Sequence, residues 1–194
     1  MRDVYEYALK AMEMLDAIGI KYGNVKEITV NYRAKRWGQC RIHRSFGSDD
    51  HYFTIEVNHN LVEADGDGSG LMNTMLHELL HTAAPWKDNH GGMWKVYAEQ
   101  VQRAYGYNIK RTSSEDDKGI ADYMAQQRAA EEVERCGKRY QTYCLHCNDV
   151  LNSRERFCKY TEDVIKGFYR CRRCKTTAVL KDRDTGEIIS SRRQ

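Results

Sequence analysis

The sequence predicts an α+β fold, in which a domain with a small sheet and several helices is followed by a small β-rich zinc ribbon. Three observations lead to this prediction. Within residues 1–112, some segments repeat apolar residues at helical spacing, whereas others alternate β-branched and polar residues as strands do. A histidine pair, His77 and His81, lies on one predicted helix. Beyond residue 139, two Cys-x-x-Cys pairs lie in a segment too short to build a large core.

Glycine and proline separate the predicted elements of the first part. Gly19 ends the first helix, the loop 65–70 offers Ser or Asp side chains that can cap the next helix, and Pro85 disfavours helix at Ala84. Residues 36–40 join two strands through a hairpin or a third short strand. In order, the predicted elements are a helix at 2–18, strands at 28–33 and 52–57, a helix at 71–83, a helix from Trp94 that Gly106 ends, and a last strand at 108–111.

The composition excludes several classes of protein. Of the 194 residues, 41% are hydrophobic and 30% are charged, which suits a globular protein with a real core. No run is apolar enough to span a membrane, and residues 1–7 carry both signs of charge, unlike a secretory signal. The cysteine pattern suits metal binding rather than disulfides. These observations predict a cytoplasmic protein that does not associate with membranes.

The charge is distributed unevenly along the chain. The net charge is +3, yet residues 1–112 balance 14 Lys and Arg against 14 Asp and Glu. Residues 113–138 carry 4 against 7, and residues 139–194 carry 13 against 7, so the positive excess belongs to the C-terminal quarter. The predicted division is a first domain at 1–112, a polar helical linker at 113–138, the zinc ribbon at 139–182 and a polar tail at 183–194.

The segment His77-Glu78-Leu79-Leu80-His81 predicts a catalytic zinc site. Residues four apart share one face of a helix, so the two histidines can bind one ion. The alternative is an amphipathic helix with two surface histidines, but the apolar neighbours indicate burial, and buried polar groups need partners. Catalytic zinc takes three protein ligands and lowers the pKa of a bound water. Glu78 suits the general base that takes the water proton and passes it to the leaving amine in peptide-bond hydrolysis.

The third ligand must come from outside this helical turn. His90 is favoured, because the glycines that follow it let the chain bend back over the helix. Glu99, on the following helix, and Asp88 are the competing ligands. A loop histidine that only makes a local hydrogen bond is the alternative interpretation of His90.

Four cysteines predict a second, structural zinc site. Cys144 and Cys147 form one pair, Cys171 and Cys174 form the other, and 23 residues separate the pairs. Two such pairs close one tetrahedral zinc ion, whereas unrelated or redox-active pairs are the alternative. We therefore expect two zinc ions, one catalytic and one structural. The remaining candidates are Cys158 and His146 as substitute ligands, and Cys40 and Cys136 as single free thiols.

Aromatic and basic residues surround the cysteine pairs. Basic groups bind phosphates and aromatic faces stack on unpaired bases, so the ribbon is a candidate nucleic-acid-binding module. The alternative is a small aromatic core with a solvated charged face. The candidate contacts are Arg170, Arg172, Arg173, Lys175, Tyr143 and Tyr169.

Several motifs, taken in order, resemble those of the SprT-like family of zinc metalloproteases. Residues 36–40 resemble its Trp-Gly-x-Cys segment, and residues 55–61 resemble its strand followed by Asn-x-x-Leu. Residues 77–81 match its active-site helix, and residues 90–94 resemble its His-Gly-x-x-aromatic segment. The cysteine pairs resemble the zinc ribbon of bacterial members. The polar stretch 113–137 departs from the family pattern.

The resemblance implies a zincin-like first domain in which His90 is the third zinc ligand. It also implies proteolysis of proteins bound or crosslinked to DNA, stimulated by DNA. Protein substrates and DNA, including its single-stranded form, are then the expected partners, and DNA repair is the expected process.

Two other functions compete with this hypothesis. One is a nucleic-acid-binding adaptor with little protease activity, for which the ribbon argues and the intact Glu78 does not. The other is a general cytosolic metallopeptidase whose ribbon only supports the fold.

Overall fold

A three-stranded sheet lies at the centre of the first of two compact units in the computed structural model, which describes residues 1–33, 35–44 and 50–189. The two units divide between Met124 and Ala125. The mixed α+β composition is as predicted, while the zincin-like arrangement stays a prediction. In the part of the chain described, no helix is both long and apolar enough to cross a membrane.

The sheet of the first unit has the order β1-β3-β2. The central strand β3 runs parallel to β1 and antiparallel to β2, so that Ile55 pairs with both Ile28 and Cys40. Alternate residues of β3, from Phe53 to Val57, are buried because one face of the sheet covers the core. The strands are β1 (Val25–Asn31), β2 (Gly38–Arg44) and β3 (His51–Asn58).

Helices cover the buried face of this sheet. The Asp3 side chain caps α1 by accepting hydrogen bonds from the amides of Tyr5 and Glu6. The helix α3 buries most of its side chains, whereas α4 buries one stripe and ends at Gly106, which has a left-handed φ of 78°. The helices are α1 (Val4–Ala17), α2 (His59–Glu63), α3 (Ser69–Ala83) and α4 (Gly92–Tyr105), with a 3₁₀ turn at Trp86–Asp88.

Most predicted elements of this unit are confirmed, among them the third strand expected at residues 36–40, which is β2, but the expected last strand is not. The segment 108–111 is not a strand; its carbonyl groups instead accept hydrogen bonds from side chains of α3, such as Asn73 to the Asn108 oxygen at 3.1 Å. The N-cap position of α3 is Gly68, whose φ is 77°, and the Asp67 carboxylate before it accepts a hydrogen bond from the Ser69 amide at 2.8 Å. A Cβ at Gly68 would collide with the Tyr7 side chain.

Residues 113–120, expected in the linker, are part of the first unit. The Trp37 indole nitrogen donates to the Ser113 carbonyl at 2.8 Å. A Cβ at Gly70 would collide with the Lys118 carbonyl, so the two backbones lie in close contact. Lys118 is only 4% exposed and Ile120 only 6%. Where independently folding domains begin and end stays a prediction, but this segment takes part in the core.

The second unit contains a four-stranded antiparallel sheet of order β5-β4-β6-β7. Its buried residues are few, and Cys144 and Cys171 are among them. Residues 183–189, expected in the polar tail, turn back so that β7 pairs with β6; residues 190–194 of that tail lie outside the described residues. The helix α5 (Ala121–Cys136) spans the division between the two units. The elements that follow it are β4 (Tyr140–Cys144), β5 (Asp149–Arg154), α6 (Lys159–Ile165), β6 (Val179–Asp182) and β7 (Ile188–Ile189).

Candidate active site and metal centres

Three histidines converge at the C-terminal half of α3. His77 and His81 project from successive turns of this helix, and His90 reaches them from the loop that precedes α4. The Nε2 atoms of the three rings lie 3.3 Å (77 to 81), 3.2 Å (81 to 90) and 3.1 Å (90 to 77) apart. The structure therefore brings together all three histidines that the sequence singled out.

The chemistry of this cluster fits a metal ion. Burial, together with the charges of the neighbouring imidazoles, lowers the pKa of His77 to about 3 and that of His81 to about 4. Burial, and then the charge of Arg111, also lowers the pKa of His90. Neutral imidazole is the form that binds metal ions, and here three imidazoles direct their Nε2 atoms toward one common point. Nitrogen ligands of a tetrahedral zinc ion lie about 3.3 Å apart, as expected from Zn–N bonds of roughly 2.0–2.1 Å.

Neighbouring groups hold the histidine rings in place. The backbone carbonyl of Lys110 accepts a hydrogen bond from the His77 ring. The buried indole of Trp94 contacts all three imidazoles, with ring centroids 5.0 Å from His77, 5.6 Å from His81 and 4.8 Å from His90. The hydrogen bond to Lys110 orients the His77 ring and fixes its tautomer, whereas the indole of Trp94 restrains the three rings by packing against them.

Glu78 lies beside the cluster and is 5% exposed. Burial raises its pKa to about 8, while a hydrogen bond from the Cys40 amide and the charges of Lys118 and Arg36 act in the opposite direction. The backbone of β2 reaches the carboxylate because Gly38 has no side chain; a Cβ there would collide with Glu78. Edge strand and active-site helix are thus in direct contact at the base of the cleft.

Three cations near Glu78 were missed by the sequence analysis. Lys118 is buried, its ammonium group donates to Asn73 Oδ1 at 2.7 Å, and burial lowers its pKa to about 8. Arg36 and Arg111 are exposed and line the cleft of about 470 Å³ that contains the histidines. No sequence signal marks Lys118, because it lies in a polar stretch that has the pattern of a solvated loop.

The competing ligands lie away from the histidine cluster. Glu99 is exposed on α4 and is not part of the group of ligand atoms that His77, His81 and His90 form. The Asp88 carboxylate instead accepts a hydrogen bond from the Met93 amide at 2.9 Å, near the start of α4. Among the described residues, the histidines are therefore the ligand set that the structure offers.

The four predicted cysteines also converge, within the second unit. Their sulfur atoms all lie within 4.8 Å of one another, with Cys144 Sγ 3.4 Å from Cys174 Sγ and Cys147 Sγ 3.8 Å from Cys171 Sγ. Thiolates around tetrahedral zinc lie about 3.8 Å apart, as Zn–S bonds of about 2.3 Å require. Hydrogen bonds from Thr176 lower the pKa of Cys174 to about 5, which favours the metal-binding thiolate.

The other thiols and His146 lie outside this group of four sulfurs. The His146 ring comes no closer than 4.0 Å to Cys147 Sγ. Cys158 is exposed at the start of α6, where its backbone amide donates a hydrogen bond to the Thr161 hydroxyl at 2.8 Å. Cys40 borders the active-site cleft, and Cys136 Sγ contacts the Glu132 carboxylate at 3.1 Å.

The candidate nucleic-acid contacts are only partly brought together. A groove of about 490 Å³ on the second unit is lined by Tyr169, Arg170, Arg172 and Arg173, and also by Tyr160, another of the aromatic residues around the cysteine pairs. Lys175 and Tyr143 are not in its lining; the Tyr143 ring instead lies under the Lys181 ammonium group, 4.8 Å away. The four cationic candidates are all exposed.

The fold and the site together define a metalloprotease-like protein: a mixed α+β unit whose helix presents two histidines and a buried glutamate beside a third histidine. A family model, described as the SprT-like family, matches residues 12–113, just over half of the chain. The protein belongs to the SprT-like family. Neither a curated protein nor a solved structure matches the chain.

Proposed function

We propose that the protein is a zinc-dependent endopeptidase that acts on DNA-associated proteins, with proteins crosslinked to DNA as the substrate class. The observation that carries the peptidase part is the convergence of three histidine Nε2 atoms, within 3.3 Å of one another, beside a buried carboxylate. Membership of the SprT-like family supports the same reaction. A binding adaptor would have no chemical use for Glu78 in this position.

His77, His81 and His90 would hold the zinc ion. The ion would supply activation of the attacking water and polarisation of the scissile carbonyl. Glu78 takes the proton from the water and delivers it to the nitrogen of the leaving amine. A base works best when its pKa is near the working pH, and burial moves the pKa of Glu78 in that direction.

The DNA part of the proposal rests on the second unit. Its groove carries Arg170, Arg172 and Arg173, which suit phosphate groups, next to Tyr169. The Phe168 ring is 73% exposed and offers a face on which an unpaired base can stack. The four-cysteine zinc site would hold the loop that presents these side chains. This combination favours single-stranded DNA over duplex.

The test is cleavage of a DNA-binding protein by the full-length protein, with single-stranded DNA, with duplex DNA and without DNA. We expect single-stranded DNA to increase the cleavage rate, and the combined change Arg172→Gln and Arg173→Gln to remove that increase without changing the DNA-independent rate. Arg183→Gln, on the same unit but outside the groove, is the matched control. Cleavage that ignores DNA would favour a general peptidase, and DNA binding without any cleavage would favour an adaptor.

Lys118 provides a prediction about pH. Its positive charge lowers the pKa of Glu78, so Lys118→Met should raise that pKa. Glu78 must be ionised to act as the base. As the pH is lowered, Lys118→Met should therefore lose activity at a higher pH than the wild type does, while the pH profile of Lys118→Arg should stay close to that of the wild type. The pH profile of kcat/KM measures this shift, with Lys95→Met, an exposed change on α4, as control. If kcat/KM of Lys118→Met fell at the same pH as that of the wild type, Lys118 would not be lowering the pKa of Glu78.

A further inference from the structure

The active-site cleft carries an excess of positive charge. Next to Glu78, the cleft is lined by Lys35, Arg36, Lys110, Arg111 and Lys118. Arg36 and Arg111 extend into the adjoining part that holds the three histidines. Glu78 is the one carboxylate among the described residues that line either part. A bound divalent metal would add further positive charge at this point.

Two of these five cations are engaged by other groups. The Lys110 ammonium group lies 2.6 Å from the Asp117 carboxylate, and Lys118 is buried against Asn73. By contrast, Lys35, Arg36 and Arg111 are exposed, and none of the three forms an ion pair with a carboxylate of the described part of the chain. Of these three, only Arg36 and Arg111 also line the part of the cleft that holds the histidines. Both arginines line the cleft together with His77 and Glu78, so their guanidinium groups lie within the site itself.

The two arginines come from different segments of the first unit. Arg36 immediately precedes Trp37 and the edge strand β2, and its carbonyl accepts a hydrogen bond from the Asn58 side chain at 3.2 Å. Arg111 follows Lys110, whose carbonyl is bonded to the His77 ring. Both guanidinium groups are therefore attached to backbone that is held directly to the site, which gives them a defined reach into the cleft.

We propose that Arg36 and Arg111 form a subsite for acidic side chains, so that the protease prefers peptides with Asp or Glu close to the scissile bond. A guanidinium group binds a carboxylate through two parallel hydrogen bonds, which gives it selectivity over the neutral amide of the same shape. The preference rests on the proposed peptidase function, because it describes what that same site accepts.

The observations favour a peptide carboxylate over a nucleic-acid phosphate as the occupant. The first unit, residues 1–124, has 15 Lys and Arg against 18 Asp and Glu, so the positive charge of the cleft is not a property of the whole unit. Binding to a phosphate backbone takes an extended basic surface. Two unpaired arginines beside the catalytic groups instead match one or two carboxylates of a substrate that enters the site.

The experiment begins with digestion of a mixed peptide library by the full-length, metal-loaded protein, followed by two synthetic peptides that differ only by Glu or Gln next to the preferred cleavage point. We expect kcat/KM to be about tenfold higher for the Glu peptide, the size of one charge-assisted hydrogen bond. The ratio should fall toward one in Arg36→Gln with Arg111→Gln. Arg103→Gln, on the exposed side of α4, should leave the ratio unchanged.

A binding measurement separates this inference from the proposed function. In the Glu78→Gln background, fluorescence anisotropy of the two labelled peptides should show tighter binding of the Glu peptide, lost in the double arginine variant. Equal binding of both peptides would overturn the subsite, even if the protein cleaves nothing. An equal loss of kcat for both peptides on removal of the arginines would assign them to the reaction itself. Displacement of the Glu peptide by a single-stranded oligonucleotide, lost with the arginines, would assign the cleft to phosphate.

Discussion

Replacement of Glu78 by Gln is expected to lower kcat for peptide hydrolysis by about 10²–10⁴-fold, the usual contribution of general acid–base catalysis. The amide has the shape of the carboxylate and can still accept the hydrogen bond from the Cys40 amide, but it cannot take a proton. The three histidines are unchanged, so the metal content should stay at the wild-type value. Steady-state cleavage of a peptide substrate and metal analysis of the same sample measure both quantities.

The matched control is Glu99→Gln. Glu99 is an exposed carboxylate on α4, and the sequence analysis kept it open as a metal ligand. We expect this variant to retain wild-type activity and metal content. A metal-loaded Glu78→Gln protein with full activity would exclude Glu78 as the base, and loss of metal in Glu99→Gln would reopen the choice of third ligand.

The part of the site that could be predicted from the sequence is the part that local geometry determines. The spacing of His77 and His81 follows from the pitch of a helix, and one apolar stretch contains both residues. His90 could be preferred over Glu99 because the backbone after it is free to turn. The structure places the Nε2 atoms of the three histidines 3.1 to 3.3 Å apart, and their role as zinc ligands stays a prediction.

The groups that surround the histidines and Glu78 are brought there by contacts between residues far apart in the sequence. Local sequence patterns therefore do not predict them. The carbonyl of Lys110 acts on His77 only because the segment 108–111 lies along α3 rather than in a sheet. The sequence of residues 108–111 predicts a strand because its residues suit a place beside a partner strand. In the structure the neighbour of this segment is the helix α3, and no partner strand is available to it among the described residues. Lys118 is buried for a similar reason, since Gly70 lets its backbone approach α3.

The second unit shows the same division between local and long-range information. The two cysteine pairs could be predicted because each pair is a local turn and the two turns need one another to complete a metal site. The groove could not be predicted in detail. Tyr143 was grouped with Tyr169 by composition, yet the strand β4 directs its ring toward Lys181, while Tyr160 from α6 lines the groove.

Replacement of Cys171 by Ser is expected to remove one of two zinc equivalents and to unfold the second unit. Metal binding by small modules contributes on the order of 10 kcal/mol, and that free energy is folding free energy. The unit has few fully buried apolar residues beyond the cysteines, among them Val164, Ala178 and Leu180, so no large core would compensate. Metal analysis by mass spectrometry, with hydrogen exchange of the strands β4 and β6, measures both effects.

Two further variants determine whether the loss is specific to the second metal site. Cys158→Ser changes an exposed thiol outside the four-sulfur group and should keep both zinc equivalents. His90→Ala should also lose one equivalent, but with the strands of the second unit still protected, because its metal belongs to the first unit. Two equivalents in Cys171→Ser would contradict the structural site. If instead Cys171→Ser lost both, the two centres would depend on one another, and neither unit could be treated as an independent metal site.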